Sequence, residues 1–143
     1  MRHRPVREII ENQRPVTAAV GVTVSDAARL MKKHKVGAIG VVEHGHLVGV
    51  FTERDALFRV TAEGRDPLHT RLADVMTPNP QTISPDKPFD HALHIMYEGG
   101  FRHVPVVEGG ILVGMVSARD ALGPELREFA DELDVREHIG EIL

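Results

Sequence analysis

The sequence predicts a mixed α/β (α+β) fold: two β-α-β-β-α repeats packed with pseudo-twofold symmetry, followed by a C-terminal helix. Three observations predict it. The chain matches itself at an offset of 65 residues, where residues 24–57 lie on 89–122 without a gap and share 13 identities in 34 positions; chance pairing at ordinary usage gives about two. Short apolar runs split by glycine-containing turns recur in both copies, the pattern of buried hairpins. Ahead of each hairpin, Ala27 and Met31, like Ala92 and Met96, stand one helical turn apart.

Taken in order, the first strand spans residues 16–20, and 81–84 in the second copy. Ser25 is a suitable N-cap for a helix that turns Ala27, Ala28, Leu30 and Met31 inward and ends near His34, before Gly37. In the second copy Asp86 or Pro88 opens the matching helix; Ala92, Leu93, Ile95 and Met96 face in, and Gly99-Gly100 stops it. Hairpins follow at 38–42 with 47–52 and at 103–107 with 111–117, and a further helix starts at Glu53 and at Ala118. The first repeat spans residues 6–62, a linker 63–71, the second repeat 72–124 and the tail 125–143. A unit of this size is marginal alone. Two copies face to face bury each other's apolar surfaces and leave two equivalent clefts where they meet. In the tail, Leu126, Phe129, Leu133 and Ile139 form one stripe after a bend at Gly123-Pro124. Packing on its own domain and contact with another subunit both suit that stripe.

Composition excludes several classes. The chain has 143 residues, with 17 Lys+Arg against 21 Asp+Glu for a net charge of −4. Phosphate-driven duplex-DNA binding needs clustered cations, so DNA is not an expected partner. The absence of cysteine excludes a disulfide scaffold, a thiolate zinc site and a catalytic thiol. No apolar run reaches membrane-spanning length, so no membrane partner is expected. The start of the chain lacks the apolar stretch of a signal peptide, and the expected location is cytoplasmic.

The chemistry concentrates at the end of each hairpin, where Thr52-Glu53-Arg54-Asp55 repeats as Ser117-Ala118-Arg119-Asp120. At a strand-to-helix junction the hydroxyl can cap the helix while the first backbone N–H groups point outward to receive an anion. Arg54 and Arg119 sit in a first turn, where the helix dipole disfavours cations, which makes sense if an anionic group is to arrive. Asp55 and Asp120 suit the vicinal hydroxyls of a ribose. A capping box uses the same residue types for stability alone. Retention of Arg and Asp in both copies, while Phe51 became Val116 and Glu53 became Ala118, favours the ligand role.

The duplicated unit, the phrases GAIGVV and FRHVPVV and the doubled G-h-h-(T/S)-x-x-D ending resemble tandem cystathionine β-synthase (CBS) domains, the Bateman module, over residues 6–122. The resemblance implies regulatory binding of an adenine nucleotide (AMP, ADP or ATP, in some members NAD(H) or S-adenosylmethionine), no catalysis and no catalytic cofactor. It further implies a homodimer and a regulated protein of unknown identity. Carried over, one cleft joins Thr52, Arg54 and Asp55 to Gln81, Thr82, Phe101, Arg102 and His103. The other joins Ser117, Arg119 and Asp120 to Val16, Thr17, Gly37 and Ala38. In these roles the aspartate holds ribose hydroxyls, the hydroxyl residue and arginine hold phosphate, and the first strand meets the adenine edge through its backbone. Because Gly37 and Ala38 stand where Arg102 and His103 stand in the second copy, cationic character is expected in the Asp55 cleft only, with a preference there for more phosphate. The proline of the second strand is present as Pro105 and replaced by Gly40 in the first copy.

Other constellations are weaker. His44 and His46 flank a turn, and His91 and His94 share a helix face, but no cysteine or HExxH pattern accompanies them, so no metal site is expected. Phe51 and Phe101 suit core packing, with the clefts as alternative positions. No phosphate-binding glycine loop or nucleophile elbow is present, and no enzyme is expected. The competing functional reading is a dimerisation or adaptor module whose clefts are vestigial and whose tail helix is the contact surface. Single-stranded RNA binding suits neither the net charge nor the scarce aromatics.

Overall fold

The computed structural model describes the backbone of residues 3–142 and the side chains of residues 3–136. Along the chain run α1 (Val6–Ile10), β1 (Thr17–Ala19), α2 (Val24–His34), β2 (Ala38–Glu43), β3 (His46–Thr52) and α3 (Glu53–Asp55), which continues as a π-helical segment, Ala56–Thr61. The second half holds α4 (Leu72–Val75), β4 (Thr77–Pro78), α5 (Phe89–Gly99), β5 (His103–Glu108), β6 (Ile111–Ser117), a 3-10 turn (Ala118–Asp120) and α6 (Gly123–Ile142). One sheet has the order β1-β2-β3-β4, and β5 pairs with β6 in another. Both hairpins are antiparallel, and each carries a register shift at the same place, Val41/Val42 and Val106/Val107. The duplication therefore extends to a backbone irregularity.

Each repeat has its own core, but the leading helices are exchanged. Val6 and Ile10 of α1 lie in the second core with Phe89, Met96, Val104 and Val116. Leu72 and Val75 of α4 lie in the first with Met31, Ile39, Val41 and Phe51. Full burial of a side chain such as Val6 or Leu72 stabilises by about 1.5–3 kcal/mol, so each half holds the other in place. The hairpins also meet directly: a Cβ on Gly40 would stand 2.5 Å from Leu112 Cδ2. Gly40 therefore replaces the expected proline where a side chain of β6 crosses.

Several expectations need correction. The N-cap of α2 is Thr23, whose Oγ1 accepts from Asp26 N, rather than Ser25. The strand expected at 81–84 is a single parallel bridge between Ile83 and Val106. Pro78, Pro80, Pro85 and Pro88 crowd this stretch, and each lacks the N–H that a ladder needs. The helix expected at Ala118 is one 3-10 turn, because Ala121 is extended (ψ 133°) ahead of Gly123-Pro124. The tail does form a helix, and it lies along α5. Phe129 meets the rings of His94 and Tyr97 edge-on, at 4.9 and 6.0 Å between centroids. The side chain of Ile139 lies outside the described residues.

Candidate functional site

The seam between the repeats opens into two clefts. The first, of about 480 Å³, is lined by Thr52, Glu53, Arg54, Asp55, Leu57 and Phe58 of the first repeat and by Pro80, Gln81, Phe101, Arg102, His103 and Pro105 of the second. The second, of about 790 Å³, is lined by Ser117, Arg119 and Asp120, by Gln13, Arg14 and Val16, and by Lys35, Gly37 and Ala38. Of the fifteen residues singled out in the sequence, thirteen border the expected cleft and two, Thr17 and Thr82, do not. Both of these threonines are exposed. Phe51 is fully buried in the first core, whereas Phe101 lines a cleft, its ring occupying the place a Gly99 side chain would fill.

Local hydrogen bonding fixes both junctions. Thr52 N donates to Asp55 Oδ2 at 3.0 Å, and Asp55 N donates to Thr52 Oγ1 at 3.1 Å, a reciprocal capping box. In the second copy Ser117 N donates to Asp120 Oδ2 at 2.7 Å. The next amides are also engaged, Glu53 N with Gly37 O and Ala118 N with Arg102 O. The outward amide cradle expected at these helix starts is thus largely consumed internally. The polar groups left for a ligand are side chains: the hydroxyls, the carboxylates and the cations. An ionised carboxylate oxygen accepts more than one bond, so the cap leaves acceptor capacity on each aspartate. Arg54 reaches across the seam, its Nη1 3.3 Å from Gly100 O.

A wall shared by the two clefts escaped sequence reasoning. Glu53, Arg102 and His103 line both, so the cationic character assigned to the Asp55 cleft alone is common to the two. A Cβ on Gly37 would stand 3.0 Å from Glu53 Oε1 and 3.4 Å from His103 Nε2, so the missing side chain makes room for that wall. Burial pushes the His103 imidazole below its ordinary value, opposed by the nearby Glu53 carboxylate; Arg119 and Arg102 press it down further and Asp120 raises it. Arg14 and Lys35 add cations to the second cleft. Lys35 sits in the left-handed C-cap of α2 (φ 54°), where α5 has Gly100 (φ 73°). The Asp120 cleft is therefore the more basic, and the Asp55 cleft the smaller and more apolar.

Elsewhere, the groove between α5 and α6 contains His91 and His94, and His94 Nε2 lies 2.9 Å from Glu132 Oε2. Among the described residues no group of three or more His, Asp or Glu is placed to hold a metal ion. Among the described residues no helix is long and apolar enough to cross a membrane.

A duplicated α/β chain with paired clefts at its seam, each edged by a hydroxyl-x-Arg-Asp turn, defines a tandem-domain architecture. The chain belongs to the CBS-domain family: the family model matches residues 6–62 and 72–123. It is 39% identical over 104 residues to the CBS domain-containing protein YhcV of Bacillus subtilis, covering 73% of this chain and 74% of that protein. The chain spans 56% of the length of another relative, the mitochondrial CBSX3 of Arabidopsis thaliana, at 35% identity over 116 residues. Its fold is similar to that of PAE2072 from Pyrobaculum aerophilum, a CBS domain protein solved with AMP (27% identity, TM-score 0.79, covering 90% of this chain and 99% of that one). It is likewise similar to the CBS domain pair of MJ0100, solved with 5-methylthioadenosine and S-adenosyl-L-methionine (29% identity, TM-score 0.74, covering 82% and 95%). The ligands of these neighbours support reading the pair as a ligand-binding regulatory module.

Proposed function

We propose that the chain is a sensor that binds adenine nucleotides (AMP, ADP, ATP or NAD(H), with S-adenosylmethionine as a related ligand) and passes occupancy on to a protein partner without chemistry on the ligand. The observation that carries this reading is the Thr52-Arg54-Asp55 and Ser117-Arg119-Asp120 turns, each at the edge of an open cleft formed by both repeats. The complexes of PAE2072 and the MJ0100 pair support the ligand class. In this reading Asp55 and Asp120 hold ribose hydroxyls, while Thr52, Ser117 and the arginines hold phosphate. The segments at Gln81 and Val16 meet the base, with Thr82 and Thr17 contributing backbone alone. The apolar lining of Leu57, Phe58 and Phe101 suits the first cleft to a monophosphate or an uncharged thioether nucleoside. The cations of the second suit it to a di- or triphosphate.

Because the clefts lie where two packed halves meet, a ligand that prefers one packing shifts the equilibrium between packings by its difference in affinity. The chain acts as a homodimer in this proposal. Leu126 and Val135, exposed on α6, favour the tail helix as the surface that meets a second copy or the regulated protein. Isothermal titration with AMP, ATP, NADH and S-adenosylmethionine tests the reading. Saturable binding of at least one is expected, and no heat of binding from any would overturn it.

A further inference from the structure

The two aspartates are held differently. Asp55 is 9% exposed, and beyond the bond from Thr52 N its second oxygen, Oδ1, lies 3.5 Å from Arg59 Nε. Arg59 stands one turn further along the same helix, on the π-helical segment, whose closing bond runs from Ala62 N to Leu57 O at 2.8 Å. It does not line the cleft; it approaches the carboxylate from behind. Its Nη1 donates to Met76 O at 3.0 Å and Val75 O at 3.4 Å, where the chain leaves α4 for β4. β4 in turn pairs with β3, the strand that ends at Thr52. Arg59 thus ties the Asp55 carboxylate to the sheet edge that carries the other half of the motif.

Among the described residues the second repeat has no such device. Four residues beyond Asp120 stands Pro124, after the chain has left helical geometry at Ala121. π-Helical turns are rare and occur frequently at functional sites, and here the segment is confined to the helix that carries Arg59. Binding groups discriminate best when second partners lock their rotamers.

We propose that Arg59 is a positioning residue that fixes the Asp55 carboxylate for a vicinal diol, making the first cleft the more stringent reader of ribose against deoxyribose. This rests on the reading that the cleft takes an adenine nucleotide. Asp55 accepts from Thr52 N with Oδ2 and faces the Arg59 guanidinium with Oδ1 as an ion pair, which leaves acceptor capacity on both oxygens for the two hydroxyls. Asp120, held at one oxygen by Ser117 N, rotates more freely and discriminates less.

The test is calorimetric titration of the full chain carrying Asp120→Asn, which isolates the first cleft, with AMP and 2′-deoxy-AMP, before and after Arg59→Gln and Arg59→Lys. The parent should favour AMP at least tenfold. Arg59→Gln should narrow that ratio to about twofold, chiefly by weakening AMP, and Arg59→Lys should restore part of it. A ratio unchanged in Arg59→Gln, with both ligands weakened alike, would mean that the arginine merely supports the fold. A parent that binds both equally would also overturn the inference, while leaving nucleotide binding intact. A parent that binds neither would remove the underlying reading as well.

Discussion

The two clefts arose from one duplicated turn, yet they differ in size, charge and in how the aspartate is held. The first is about 480 Å³, bordered by Leu57, Phe58, Phe101 and Pro105, and its aspartate is braced by Arg59. The second is about 790 Å³, bordered by Arg14, Lys35 and Arg119. Here the chain segment at the aspartate is fastened from outside the repeat: Arg4 Nη2 donates to Asp120 O at 2.8 Å and to Glu125 Oε1 at 2.6 Å. That ion pair holds the Glu125 carboxyl below its ordinary range, chiefly through the hydrogen bond from Arg4. Duplication thus supplied the motif, and local chain context made one cleft a smaller, more apolar pocket and the other a basic one joined to the tail helix.

The largest expected effect separates the clefts outright. Asp55→Asn and Asp120→Asn keep an oxygen for the capping bond and remove the charge. Hydrogen bonds to charged groups contribute about 1.5–3 kcal/mol, so each variant should lose its own cleft's affinity by about ten- to a hundredfold. Two-site titration should show the other cleft little changed; loss of both in either variant would make the seam a single site.

Next in size, Arg4→Ala should cost about 1–2 kcal/mol in denaturant unfolding, as a half-buried charge-assisted pair is lost. It should weaken ligand in the second cleft more than in the first. Equal weakening would contradict the separate fastening of the Asp120 turn. Lys35→Gly sharpens the same contrast in two directions. A lysine at φ 54° is strained, and glycine removes that strain, so the variant should gain about 0.5–1 kcal/mol in stability while its preference for ATP over AMP falls. A gain in stability with unchanged preference would free Lys35 from any ligand role.

The smallest effect is on pH. Burial holds His103 below the ordinary 6.5, so below that pH the unfolded chain takes up a proton more readily than the folded one. Stability then rises with pH in that window and is lost as pH falls from 6.5 through the folded value. Melting temperatures across about pH 5 to 8 should fall on the acid side, and His103→Asn should flatten the fall. Because the residue faces both clefts, equal flattening is expected with either cleft occupied.

The repeat made the fold legible, since nine of the thirteen shared residues, from Ala27 and Ala92 to Gly49 and Gly114, fall on the same helix, strands and turn in both copies. Thirteen cleft-lining positions were legible as well, because the repeated motif marks one side of each cleft and the family resemblance supplies the other. What stayed hidden depends on neighbours remote in sequence or on local backbone. Thr17 and Thr82 lie on or beside strands whose alternation turned them outward, and one-residue shifts in such segments reverse a side chain. The prolines around residue 83 and at 124 are visible, but their consequences, a strand cut to a bridge and a helix cut to one turn, depend on which N–H each ladder needs. Glu53 reads as an ordinary charge, and His103 as a residue of one cleft only, until the packing of Gly37 sets them in a common wall. Arg59 resembles any surface partner four residues from an acid, and nothing in the residues 56–61 announces a π-helical turn.

The account depends on nucleotide seated in clefts that both repeats build. Backbone NMR of the labelled full chain during titration with AMP and then ATP measures this most directly. The predicted result is paired shifts across the seam: Thr52 and Asp55 moving with Phe101 and His103, then Ser117 and Asp120 with Gly37 and Ala38. Shifts confined to the groove between α5 and α6, or to a single repeat, would contradict it.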